Sequence, residues 1–376
     1  MKKSLILILS IIFSIVLYGQ VKAKVTGLCS NCHTMHNSQG GADMADYGSA
    51  NPEAPGTGPK ESLTRGTCFG CHGQVGALNI KPIESSDIPQ VYHTNTTDLA
   101  AGNFYHITKV GGSDTFGHNV KQLANVENTG LSTPPGDENT TGIDAAGTPN
   151  FTCAGAYGCH GDRSVTGDWA AMKGAHHTDD GVLKFGSISE AGQGGSVGLS
   201  YRFLYKVKGG EDSDWQATSG AADHNEYKGA SDGVEATYPD PGGNTISGLC
   251  AECHGNFHGP RAVGSDITNT ATGSPWLRHP SDIVLPNSGE YSEYNTPNTG
   301  SYSLTAPLAR QAIPDSALSG ISLNSDVIMC LSCHGAHATN YYKLMRWDYA
   351  SDTLLSPTPV PTDALYGCII CHTSKN

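Results

Sequence analysis

All twelve cysteines of this chain fall into six pairs, and the residue after every second cysteine is a histidine. The pairs read Cys29-Ser-Asn-Cys32-His33, Cys68-Phe-Gly-Cys71-His72, Cys153-Ala-Gly-Ala-Tyr-Gly-Cys159-His160, Cys250-Ala-Glu-Cys253-His254, Cys330-Leu-Ser-Cys333-His334 and Cys368-Ile-Ile-Cys371-His372. Histidine fills only 16 of the 376 positions, so chance does not place one after all six pairs. The C-x-x-C-H spacing is the signature of c-type haem attachment. Two thiols add across the two vinyl groups of one haem, and the adjoining imidazole is held under the iron as its proximal ligand. Six structural disulfides give no reason for the histidines, and structural zinc needs two pairs converging on each metal. The pattern therefore predicts six covalent haems c on these twelve cysteines, with His33, His72, His160, His254, His334 and His372 as proximal ligands.

The third motif departs from the rule, with five residues between Cys153 and Cys159. Gly155 and Gly158 in that loop allow a backbone bulge that still delivers both sulfurs. The competing readings are a haem on one thioether or a disulfide without haem.

A low-spin electron-transfer iron needs a second axial ligand, commonly His or Met. Ten histidines remain after the proximal six, enough for bis-histidine ligation throughout. His36 and His337 follow a proximal histidine by three residues and His258 by four, which turns each away from its own iron and toward a neighbouring haem. His118 in Phe116-Gly-His-Asn119 and His279 in Trp276-Leu-Arg-His-Pro280 lie in turn-forming contexts that present an imidazole rigidly. The sixth ligand is one of His176 and His177, with His224 as competitor. His93 and His106 read as bystanders.

The elements that must position these groups are sparse. Gly (47) and Pro (20) are abundant and only 37% of residues are hydrophobic, and runs such as Asn51 to Pro59 and Ser132 to Thr141 hold turn residues with almost nothing to bury. Haems must fill much of the interior. The expected fold is mostly irregular coil with short helices and few strands, an elongated wrap around a haem chain. Helices are expected over Ser164 to His177 and at the C-x-x-C-H segments, and a weak strand pattern runs from Gly198 to Val207.

Met1-Lys2-Lys3 and the apolar run Ser4 to Gly19 have the form of a secretory signal peptide cut after Ala23. Residues 1–23 are assigned to it and 24–376 to a single hexahaem domain, exported to the cell surface, with the periplasm as the alternative. The formal charge of −13 argues against nucleic acid, whose phosphates require clustered Lys and Arg.

Cys29 through Gln39, Gly117-His118-Asn119, Leu277-Arg-His-Pro280 and Cys330 through Ala338 together resemble the hexahaem outer-surface c-type cytochromes of metal-reducing bacteria. The resemblance covers both ends and the order of the sites. It implies head-to-tail polymerisation into an extracellular filament, with His36 ligating a haem of the next subunit, and electron exchange with other cytochromes or acceptors such as metal oxides. The chain departs from that family in its expanded third motif and in lacking a histidine soon after His160, which leaves the distal ligand there open.

Electron transfer without substrate chemistry is the first reading, because bis-histidine iron has no vacant position. A multihaem nitrite or hydroxylamine reductase would need one open iron. Such enzymes often replace the proximal histidine by lysine, and no C-x-x-C-K occurs here. A monomeric periplasmic shuttle shares the chemistry of the first reading and differs in assembly.

Overall fold

The computed structural model describes residues 27–33, 63–64, 66–83, 86–123, 134–135, 151–178, 190–231, 244–254, 257, 279, 281–295, 298–348 and 367–373, with short ladders at 38–39/42–43, 144–145/148–149 and 236–237/240–241. The expected signal peptide, His36 and His258 lie outside the described residues.

Turns and irregular backbone dominate, joined by helices of three to six residues and two-stranded antiparallel ladders. The longest described ladder pairs Ile80–Ile83 with Ser86–Pro89. Two others join distant segments, Gly209–Gly210 with Glu226–Tyr227 and Ile283–Val284 with Val327–Ile328. This is the coil-rich fold with few strands that the composition predicts.

Two local expectations fail for identifiable reasons. The segment Ser164 to His177 is not one helix: Asp168–Met172 is helical, Lys173 (φ 48°) and Gly174 (φ +70°) turn left-handed, and Ala175–His177 forms a separate 3-10 turn. Two consecutive left-handed residues break an α-helix. The strand pattern over Gly198 to Val207 forms 3-10 turns at Val197–Leu199 and Tyr201–Phe203, because Arg202, Phe203 and Lys206 all have positive φ.

Among the described residues the apolar interior is divided into four small clusters, each against attachment motifs. Phe69, Tyr92, Phe104, Ile107 and Val120 pack beside Cys153. Tyr201, Leu204, Tyr227, Leu249, Val327 and Leu331 pack beside Cys159. Leu285, Tyr294, Tyr302 and Leu308 pack beside Ile370 and Cys371. A fourth cluster, Ala154, Met172, Ala175 and Val197, underlies the turn that carries His176 and His177. A buried domain ordinarily has one contiguous core; here the clusters are walls between sites.

Candidate functional site

The six attachment motifs share one local closure. In each, the backbone N–H of the histidine donates to the carbonyl of the first cysteine, at 2.8 Å for His33, 2.9 Å for His72, 3.0 Å for His160, 2.9 Å for His254, 3.1 Å for His334 and 2.9 Å for His372. Helical turns supply it at five sites: Cys29–Asn31, Phe69–His72, Ile246–Ala251, Cys330–Ser332 and Cys368–Cys371. At the third site the extra residues fold into a loop of their own. Thr152 N–H donates to the Tyr157 carbonyl at 2.8 Å, Gly158 to Gly155 at 2.9 Å, and Gly155 to His160 at 3.0 Å. Gly155 has φ +85°, and a Cβ on Gly158 would lie 2.4 Å from the Thr152 carbonyl oxygen, so both glycines are required where the sequence places them.

Five motif histidines face a second histidine across nearly the same gap. Ring centres lie 6.1 Å apart for His33 and His177, and 6.2 Å apart for His72 and His176, His118 and His254, His160 and His337, and His279 and His372. Metal–nitrogen bonds of about 2 Å, plus one ring radius on either side, place two trans imidazoles at about 6 Å between centres. The donor set and spacing thus fit one axially ligated iron per pair.

Local backbone explains how each second imidazole arrives. The left-handed Lys173-Gly174 reversal sends adjacent His176 and His177 toward two different partners, His72 and His33. His118 and His337 come from an antiparallel contact in which His118 N–H donates to the His337 carbonyl at 2.9 Å and Gly117 pairs with Ala338. A Cβ on Gly117 would sit 2.4 Å from that of Ala338 and 2.5 Å from Ile107 Cδ1. Rings brace these imidazoles: Phe104 stacks on His337 at 4.8 Å, Phe203 lies 5.2 Å from His176 and Phe151 5.3 Å from His118.

Hydrogen bonds orient the imidazoles. Nδ1 of His72 lies 2.9 Å from the Pro89 carbonyl, that of His160 2.9 Å from Arg202, that of His254 2.6 Å from Pro135 and that of His334 3.0 Å from Lys343. On the distal side, His118 Nδ1 lies 2.8 Å from the Ala336 carbonyl. A proton donated at Nδ1 leaves the Nε2 lone pair available to a metal. Burial pushes His118 down to about 4 and His337 to about 3, so both rings are neutral near pH 7. Burial likewise raises the Cys159 thiol to about 11 and those of Cys333 and Cys371 to about 12. These surroundings favour neutral sulfur, as in a thioether, over the thiolate that zinc requires.

Of the remaining histidines, His334 faces no second imidazole among the described residues, and the two unplaced candidates, His36 and His258, lie outside them. Both His176 and His177 face a motif histidine. His224 stands apart, stacked on Tyr302 at 3.8 Å with Nδ1 donating to the Gly220 carbonyl at 3.1 Å. His106 Nε2 meets Asp98 at 2.6 Å, and buried His93 receives the Asn95 N–H at Nδ1. The carbonyls of Pro89, Pro135, Arg202 and Lys343 have no signature in a sequence, because any residue supplies one.

Consecutive motifs adjoin in space. His176 and His177 tie the first site to the second. Cys153 lies beside Cys68 and Cys250 beside Cys330, and Cys333 lies within electrostatic reach of Cys371. Arg163, three residues beyond His160, pairs with Glu252 of the fourth motif. All twelve cysteines are free of disulfides, and no three His, Cys, Asp or Glu among the described residues converge as a metal cluster.

Paired imidazoles beside paired cysteines are donor sets that would suit covalently attached haem. In sequence the chain is 27% identical over 367 residues to the C-type cytochrome OmcS of Geobacter sulfurreducens, covering 86% of this chain and 79% of that protein. No family model matches. Two solved structures from the same organism align at 20% identity: the outer membrane cytochrome S filament, TM-score 0.43 over 87% of this chain and 85% of that one, and the OmcS nanowire, TM-score 0.45 over 94% and 100%.

Proposed function

We propose that this chain is an extracellular electron-transfer protein, carrying six covalent haems c with bis-histidine iron and joining a polymeric cytochrome filament. The observation that carries the reading is the five histidine pairs with ring centres 6.1 or 6.2 Å apart. In it, His33, His72, His160, His254, His334 and His372 are proximal ligands. His177, His176, His337, His118 and His279 are the distal partners of His33, His72, His160, His254 and His372. His334 takes its distal ligand from His36 of a neighbouring subunit or from His258.

When bound, haem iron cycles between ferric and ferrous with no vacant coordination position. The protein's part is to clamp each imidazole, hold the sites in chain order and exclude other ligands. Adjacency of consecutive motifs favours a continuous electron path. Similarity to OmcS supports the filament and the export that it requires, and the contact would be heterologous, repeating without closing.

Intact-mass measurement and electron paramagnetic resonance of the purified protein test this. Six covalent haems and only low-spin bis-histidine signals are expected; a persistent high-spin ligand-binding iron would favour a reductase. Cryo-electron microscopy of material sheared from cells tests the polymer, which a His36→Ala variant is expected to disrupt.

A further inference from the structure

One motif histidine is oriented differently from its counterparts. At the second to fifth sites Nδ1 meets a neutral backbone carbonyl, whereas His372 Nδ1 lies 3.1 Å from the Glu290 carboxylate oxygen Oε1. The contact is an ion-pair approach rather than an aligned hydrogen bond. Its geometry is built in. Glu290 sits in the 3-10 turn Gly289–Tyr291, and its carbonyl accepts both the Thr373 N–H at 2.9 Å and the Thr373 hydroxyl at 3.1 Å, locking the turn to the residue after His372. The Tyr291 ring stands 4.9 Å from the His372 ring, and its hydroxyl lies beside the Glu290 side chain. Both facing side chains are mostly covered, at 21% exposed for His372 and 29% for Glu290, so solvent screens the charge only in part.

Building on the haem-binding function above, we propose that Glu290 is a redox-tuning residue that lowers the reduction potential of the sixth haem site relative to the same site without the carboxylate. A negative charge on the far side of the proximal imidazole raises ligand basicity and favours ferric over ferrous iron; both effects have the same sign. Tyr291 moderates the effect by sharing the carboxylate. No proton or group is transferred.

The test uses the full holoprotein and its Glu290→Gln and Tyr291→Phe variants, with potentials from spectroelectrochemical titration followed by electron paramagnetic resonance. In Glu290→Gln, one one-electron component should rise while the other five hold. A loss of about tenfold in ferric preference corresponds to about 59 mV for one electron. In Tyr291→Phe the same component should fall, because the carboxylate loses a competing donor. Six retained haems with no component rising in Glu290→Gln, or with Tyr291→Phe moving the component upward, would overturn the proposal while leaving the electron-transfer function intact. A wild-type protein with fewer haems and no sixth site would instead sink the function on which it rests.

Discussion

The third and fifth sites differ in the feature by which such motifs are recognised, yet are bracketed in the same way. Five residues separate the cysteines of the third site and two those of the fifth. Beside the third, Tyr201-Arg202-Phe203-Leu204 turns left-handed at Arg202 (φ 51°, ψ 32°) and Phe203 (φ 59°). Beside the fifth, Tyr342-Lys343-Leu344-Met345 does so at Lys343 (φ 60°, ψ 32°) and Leu344 (φ 57°). In each, the first left-handed residue gives its carbonyl to the proximal Nδ1, and the next accepts the N–H of the glycine after the histidine at 2.8 Å, Gly161 to Phe203 and Gly335 to Leu344. What is held constant is the orientation of the imidazole; the path between the cysteines is free to vary where the closing bond to the first cysteine survives.

The largest test of that equivalence removes the attachment points. Replacing Cys153 and Cys159 by Ala should lower the covalent haem count by one, as should replacing Cys330 and Cys333. An unchanged mass in the first variant alone would show that the third site carries no haem.

The two brackets should respond oppositely to glycine. Arg202 is mostly covered, with its guanidinium 3.3 Å from Glu211 and 2.7 Å from Asn225. Arg202→Gly takes the guanidinium away from the buried Glu211 carboxylate, leaving it the backbone N–H of residue 202 at 2.9 Å, and should cost about 3 kcal/mol. Among the described residues the Lys343 side chain makes an exposed contact over the Tyr342 ring, so Lys343→Gly relieves left-handed strain and should gain up to about 1 kcal/mol in denaturant unfolding. Losses of equal size would show that side chains, not backbone conformation, maintain both brackets.

Gly158→Ala probes the inserted loop, which the fifth site lacks. Its methyl group would be forced against the Thr152 carbonyl and the Ala154 nitrogen, a cost of about 2 kcal/mol with the haem count retained. Unchanged thermal stability would mean the loop relaxes freely.

The smallest effect is acid-dependent and local to the third site. The Lys173 ammonium and Ser164 hydroxyl hold Asp162 at about 2, below its ordinary 3.8. A depressed carboxyl contributes stability that is full above pH 3.8 and lost as the pH falls toward 2. Lys173 is more than half exposed, so screening leaves roughly 1 kcal/mol. Asp162→Asn should remove that amount at pH 7 and nothing at pH 2, as read from unfolding midpoints; an equal difference at both pH values would refute the ionic origin.

The Cys-x-x-Cys-His motifs were legible because the pattern is local: two cysteines and the next histidine belong to one turn, so spacing alone reports them. The coil-rich fold was legible from its Gly, Pro and sparse apolar residues. The breaks at Lys173 and Arg202 were not, because hydrophobic periodicity carries no information about left-handed φ in residues other than glycine. Pairing was the work of tertiary structure. Nothing between His160 and His337 indicates that they meet; the contact of Gly117 with Ala338 brings His337 there, and the reversal at Lys173-Gly174 sends His176 and His177 to different partners. The second imidazole of each pair is placed by long-range packing that no short stretch of residues encodes, and Glu290 reaches His372 only because its turn docks on Thr373.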